Sequence, residues 1–181
     1  WKTGLERYQH FNAHTALLLA NDSVFGPVFS IKDIIKRLEI YDADIVGMTD
    51  SFMMHPHLQS FFIYCKKNAV LSEEFRRFFH GVTVLGNKEA IIREYEIGFS
   101  RLMTQKFRVA ALYPLETIMA KIRRHAAEGK YHEAESRSYL KHIQAIDPVR
   151  HLWRFYVTEY KFLFINKNLI KLGNTDNDEM R

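Results

Sequence analysis

The chain has 181 residues, a formal net charge of +5, 47% hydrophobic and 26% charged residues, which fits a globular fold with a sizeable core and not a disordered or fibrous chain. Its single cysteine, Cys65, excludes an internal disulfide, and no run approaches the roughly 18 apolar residues of a membrane helix. The positive charge favours anionic partners such as nucleotide diphosphates or phospholipid surfaces, without choosing among them. No signal peptide is visible, and the opening on Trp1 instead of Met is read as that of a fragment.

In chain order, Trp1 to His10 has helical spacing. Leu17-Leu18-Leu19-Ala20 then runs into Asn21-Asp22-Ser23 and is broken by Gly26-Pro27. A short apolar run ended by turn formers predicts a buried central strand of a parallel sheet, with Asp22 just outside its carboxyl end, where ligands of α/β sheets bind. A carboxylate there can hold a hard divalent cation and, through it, a diphosphate. The alternative is a plain turn or cap, which all three residue types form well.

Ser30 as N-cap predicts a helix over 31–39. Ile45 to Met48 predicts a second strand, and Thr49-Asp50-Ser51 ends it as the first one ends, on an acid. Residues 52–57 read as a loop, and 58–66 as a third strand with Gln59 and Ser60 at its mouth and Cys65 buried within it. His55 and His57 have a zinc-like spacing, but Pro56 lies between them and nothing nearby completes a ligand set. Ser72 opens the next helix, 82–85 reads as a short edge strand, and Asn87 caps a helix over 88–103. Within that helix Glu94 and Glu96 are two apart, so only one can face a cleft. Gly98 is read as allowing a close approach.

A last strand spans 109–114. Helices are expected over 116–127 and 131–143, Asp147-Pro148 turns the chain, and 149–172 reads as one aromatic helix. Its arginines and lysines, interleaved with Trp153, Phe155, Tyr156 and Phe162, suit either a membrane-surface helix or a packed helix with solvated cations. No nucleic-acid module is present. The tail 174–181 is polar and expected to be disordered. The division expected is an α/β core over 1–114, a helical part over 115–173 and the tail.

Four stretches occur in one order: residues 18–27 (LLANDSVFGP), 44–51 (DIVGMTDS), 57–62 (HLQSFF) and 93–98 (REYEIG). Together they resemble the rhamnan synthesis protein F family, glycosyltransferases of bacterial surface polysaccharide, from Trp1 to about Gly173. The resemblance implies an incomplete GT-A-like mixed sheet flanked by helices. It places Asn21-Asp22-Ser23 where such enzymes carry Asp-x-Asp for a metal and the donor diphosphate. With Asn in first place the pattern is degenerate, so Asp22 with Mg²⁺ or Mn²⁺, or metal-free catalysis, both stay open.

It further implies Glu96 as general base with Glu94 as the alternative, Asp50, His57 and Gln59 as a sugar-binding wall, and His151 returning to the diphosphate. The expected donor is a nucleotide sugar, rhamnosyl by the family's name, and the acceptor a saccharide or lipid-linked glycan of the cell envelope. The expected location is cytoplasmic or peripheral at the plasma membrane. The reading from another class is a non-catalytic basic α/β scaffold docking on membrane or partner proteins.

Overall fold

A computed structural model describes residues 1–130 and 142–172. The apolar runs form strands β1 (Ala16–Ala20), β3 (Ile45–Ser51), β5 (Phe62–Lys66) and β6 (Val109–Tyr113) of one sheet, with the short β4 (His57–Leu58) also pairing with β3. β5 lies antiparallel between β1 and β3, and β6 joins β3 in parallel. The fold is therefore mixed α/β, and β1, β3 and β6 all run the same way. Their carboxyl ends share one sheet edge with the start of β5.

β1 departs from the expected central parallel strand. It is the edge of the sheet, paired with β5 alone. It is apolar throughout because both its faces are covered: Leu17 and Leu19 pack into one core cluster, Ala16 and Leu18 against the other.

The strand expected over 58–66 is interrupted. Asp50 pairs with Leu58 while Gly47 pairs with Ile63, so three steps along β3 are matched by five along its partner. The surplus residues leave the ladder around Gln59 and Ser60, although the Gln59 N–H still donates to the Thr49 carbonyl at 3.0 Å. Such bulges bend a strand and re-aim its side chains.

Helices cover both faces. α1 (Lys2–Arg7), α3 (Lys67–Val70) and α4 (Glu73–Gly81) lie on the side of the cluster holding Phe75 and Phe99. α2 (Ile31–Ile40) and α7 (Leu115–Ala127) lie on the other. Two caps form as expected: Ser72 Oγ accepts from the Phe75 N–H at 3.1 Å and Asn87 Oδ1 from that of Ala90 at 2.8 Å. Ser30 occupies its N-cap position without a side-chain bond.

The helix after Asn87 is continuous but not uniform. α5 (Lys88–Ile91) passes through a π-helical segment, Ile92–Ile97, into α6 (Gly98–Thr104), and the Gly98 N–H donates to the Arg93 carbonyl five residues back. The wider turn shifts the phase of the apolar stripe. Ile91, ahead of the wider turn, is exposed, while Ile97, Phe99 and Met103 are buried. The strand expected at 82–85 is absent: Val84 is fully exposed and buries against nothing.

The helix expected over 149–172 breaks into Pro148–His151, Trp153–Tyr160 and Lys167–Leu172. Lys161 ends the second piece in a left-handed conformation (φ 50°), and Phe162-Leu163-Phe164 follows outside any helix with all three side chains buried. Successive side chains on a helix point about 100° apart, so a helix could not bury three in a row on one face. Ile165–Asn166 then pairs antiparallel with β2 (Val24–Phe25). Phe155, Tyr156, Phe162 and Phe164 sit in the core and not on a membrane-type face. The helix expected over 131–143 falls, up to residue 141, outside the described residues, as does the tail 174–181.

Cys65 is fully buried and its thiol is pushed up to about 12 by burial, which makes it inert at neutral pH. Tyr156 is also fully buried, and its hydroxyl has no hydrogen-bond partner among the described residues. Removing an unsatisfied buried hydroxyl is neutral or favourable. In urea unfolding, Tyr156→Phe is expected to leave stability unchanged or raise it by up to ~1 kcal/mol. Leu38→Ala, at a fully buried site, should cost about 2–5 kcal/mol. A clear loss in Tyr156→Phe would contradict this account of its hydroxyl.

Candidate functional site

The sheet edge where β1 and β3 end and β5 begins gathers a polar cluster around Glu96. Ser60 Oγ, freed from the ladder, donates to Glu96 Oε1 at 2.8 Å. Asn21, first residue after β1, donates from Nδ2 to Ser60 Oγ at 3.4 Å. Asn21 is held in that orientation because its Oδ1 accepts from both the Ser23 N–H (3.0 Å) and the Ser23 hydroxyl (2.6 Å). The π-helical segment brings Glu96 to the edge from the other side, with its side chain 24% exposed. Burial raises the Glu96 carboxyl above its ordinary range, and Asp147 adds to the rise. The Ser60 hydrogen bond and the charge of His57 oppose it.

His57, on β4, is buried beside this carboxylate with Nε2 3.6 Å from Glu96 Oε2. Its Nδ1 lies 2.6 Å from the His55 carbonyl oxygen. A carbonyl only accepts, so Nδ1 carries a proton and Nε2 faces Glu96.

A second chain of bonds runs from the bulge to the C-terminal part. Thr49 donates to Gln59 Oε1 at 2.7 Å, and Gln59 Nε2 donates to Asp147 Oδ1 at 3.1 Å. The Asp147 N–H donates to His151 Nδ1 at 3.0 Å. Asp50 has a more structural partner: its Oδ1 accepts from the Leu115 N–H at 2.7 Å, satisfying a donor at the start of α7 that no helical carbonyl can reach. Burial raises the Asp50 carboxyl as well.

A cavity of about 280 Å³ opens beside Glu96. Trp1, Phe78, Tyr95 and Phe99 contribute its aromatic walls, and Asn21, Ser60 and Glu96 form a polar end. The Tyr95 hydroxyl donates to the Thr83 carbonyl at 2.7 Å and accepts from the Thr83 N–H at 2.8 Å, tying residues 82–87 over the aromatic side. A larger depression of about 450 Å³ between α1 and α4 is lined by Leu5, Phe11 and Phe75 with Arg76 and Arg77 at its margin. It does not reach Glu96 or the polar cluster around it. The smaller cavity, with convergent polar groups and a perturbed acid, is the stronger site candidate.

Of the residues singled out in the sequence, Asn21, His57, Gln59, Glu96 and His151 enter these two networks, and Asp50 stands beside them. Asp22, Ser23 and Glu94 do not serve as expected. Asp22 is fully exposed, its carboxylate 3.5 Å from Lys167 Nζ. Ser23 closes a turn on Asn21, which is the plain-turn alternative. Glu94 points to solvent, as the two-residue spacing requires once Glu96 faces inward.

These groups do not fit Mg²⁺ or Mn²⁺. The Asn21 carbonyl oxygen is occupied by Ser23, Asp22 faces a cation, and no group of three or more His, Cys, Asp or Glu among the described residues is placed to hold a metal. Gly98 is not needed for a close approach, since a Cβ there would meet only the Arg93 carbonyl oxygen at an ordinary 3.6 Å. Ser60 and Asp147 are the partners that sequence reasoning undervalued. Ser60 was placed at a strand mouth and Asp147 in a turn, but their contacts depend on a bulge and a long-range return.

Residues 1–141 match the family described as Rhamnan synthesis protein F, and the chain belongs to that family. A stretch of 109 residues is 28% identical to an uncharacterized protein, y4gN, of Sinorhizobium fredii (strain NBRC 101917 / NGR234), covering 58% of this chain and 28% of the relative. The chain thus spans well under half the length of that curated relative. No solved structure matches it significantly. The family's description points to a role in rhamnan, hence polysaccharide, synthesis. No helix among the described residues is long and apolar enough to cross a membrane.

A carboxyl whose folded pKa is raised is paid for in stability only where it is ionised. Below its unfolded value both states are protonated and the cost is absent; the cost grows as pH rises through the window up to the raised folded value. Glu96→Gln should therefore raise Tm at pH 7, and its advantage should shrink as pH falls toward 4. A variant less stable than the parent at pH 7 would contradict the desolvated carboxyl.

Proposed function

We propose that this chain carries a glycosyl-transfer site of polysaccharide synthesis, with Glu96 as the general base. The observation that carries the proposal is the position of Glu96: a desolvated carboxylate at the polar end of an aromatic-walled cavity. Flat aromatic faces stack on the apolar face of a sugar ring, while Asn21 and Ser60 offer hydrogen bonds to its hydroxyls. At about 280 Å³ the cavity is below the roughly 300–1,000 Å³ of drug-sized sites, which suits one sugar unit and not a whole nucleotide sugar.

In the proposed step the acceptor hydroxyl oxygen attacks the anomeric carbon of a nucleotide-sugar donor. The bond from that carbon to the diphosphate oxygen breaks, and the diphosphate leaves with the bonding pair. Glu96 takes the hydroxyl proton as the new glycosidic bond forms. The raised carboxyl brings the base closer to working pH, where proton transfer is most effective. The donor is rhamnosyl on the family's name alone, and the acceptor is a saccharide or lipid-linked glycan. His151 and Gln59, joined through Asp147, lie on the far side of the bulge and are the candidates to contact the donor. No step is assigned to a metal. A GT-A-like ancestry and a peripheral position at the membrane belong to the same reading.

Glu96→Gln in the intact protein is expected to lower transfer by about 10²–10⁴-fold while leaving saccharide binding, measured by calorimetry, nearly unchanged. Retained turnover would move the base elsewhere. A protein that binds no saccharide or nucleotide diphosphate at all would favour the scaffold reading.

A further inference from the structure

The geometry points to His57 as the positioning residue that shares one proton with Glu96 and thereby sets when that carboxylate can act. Its consequence for catalysis rests on the reading of Glu96 as the base; the shared proton itself rests on contacts alone.

The imidazole is clamped. Its side chain is 4% exposed, and Nδ1 is 2.6 Å from the His55 carbonyl oxygen. The opposite ring flip would press a carbon to that distance, so the assignment of the two ring edges is fixed by the contact. With the Nδ1 proton committed, a neutral His57 presents a bare Nε2 to Glu96 Oε2, 3.6 Å away. A lone pair facing an ionised oxygen in a largely buried place is repulsive. A single proton between them removes the conflict, either as imidazolium beside carboxylate or as neutral imidazole beside carboxylic acid.

Such a pair titrates in two steps that belong to both residues. The other charged groups that bear on it are Asp147, which disfavours the ionised Glu96, Lys88 at the start of the same helix, which favours it, and Asp50, which feels the charge of His57. Ser60 donates to the other carboxylate oxygen. Ser60 lines the cavity beside Glu96. The proton drawn from a substrate hydroxyl enters a carboxylate that has Ser60 at one oxygen and His57 beside the other. His57 does not line the cavity.

The test is NMR of the intact chain. Imidazole ¹⁵N spectra report both ring nitrogens, and the side-chain ¹³C carboxyl signal of Glu96 is assigned by its loss in Glu96→Gln. Nδ1 of His57 should stay protonated throughout. Near neutral pH the pair should hold one proton, and both signals should move in the same two steps. In His57→Asn, whose amide can still donate to the His55 carbonyl, the Glu96 titration should become a single step about one pH unit or more higher, because the cation that favoured its ionised form is gone.

A bare Nε2 coexisting with an ionised Glu96 near neutral pH would overturn the proposal, and so would a Glu96 titration that His57→Asn leaves unmoved. Should His57→Asn not fold, the parent spectra alone decide. In a transfer assay the acid limb of the pH profile should move up with the Glu96 titration in His57→Asn. Coupled titration in a protein without transfer would refute the base assignment and uphold the shared proton, so the two failures are distinguishable.

Discussion

Two residues too many in one strand shape the site. Between the pairs Asp50–Leu58 and Gly47–Ile63 the strand opposite β3 must lose its surplus, and it does so at Gln59 and Ser60. A regular ladder would alternate these side chains above and below the sheet. The bulge instead turns Ser60 toward Glu96 and Gln59 toward Asp147. The polar rim therefore depends on a local failure of pairing, held in place by well-packed neighbours such as Leu58 and Phe61.

The helix that carries Glu96 makes a matching departure. Its π-helical segment inserts an extra residue per turn, which burdens the helix with poorer hydrogen bonds but rotates Glu96 inward while Glu94 stays in solvent. The result is a carboxylate with a histidine on one side and a hydroxyl on the other, largely but not fully removed from water. Ionisation there costs stability, and groups that cost stability yet persist are most often kept for chemistry.

Much of this was legible in the sequence because it depends on short-range rules. Apolar runs gave four of the strands, Ser72 and Asn87 gave two helix starts, and acids or amides at strand ends marked the correct edge of the sheet. Asn21 and Gln59 follow from that logic, whereas Glu96, on a helix, is singled out by the family resemblance. What was not legible depends on pairing across the chain. That β1 is an edge strand, antiparallel to its neighbour, cannot be read from Leu17-Leu18-Leu19, since both its faces are buried in either topology. The register slip that exposes Ser60 and the π turn that re-phases the stripe after Ile91 leave no local mark. Phe162-Leu163-Phe164 reads as helix by composition, and only the core they join across the chain takes them out of one. Asp22 illustrates the opposite error: the residue type suited a metal, but the turn on Asn21 carries its carboxylate out to Lys167.

The central claim is that a saccharide occupies the aromatic cavity with its hydroxyls toward Glu96. The chain has only two tryptophans, and of these Trp1 lines the cavity whereas Trp153 does not. A ¹H–¹⁵N spectrum of the two indole signals during titration with oligosaccharide is thus the most direct measurement. The account predicts a dose-dependent shift of the Trp1 signal with Trp153 unmoved. A shift confined to Trp153, or no shift of either at saturating saccharide, would contradict it.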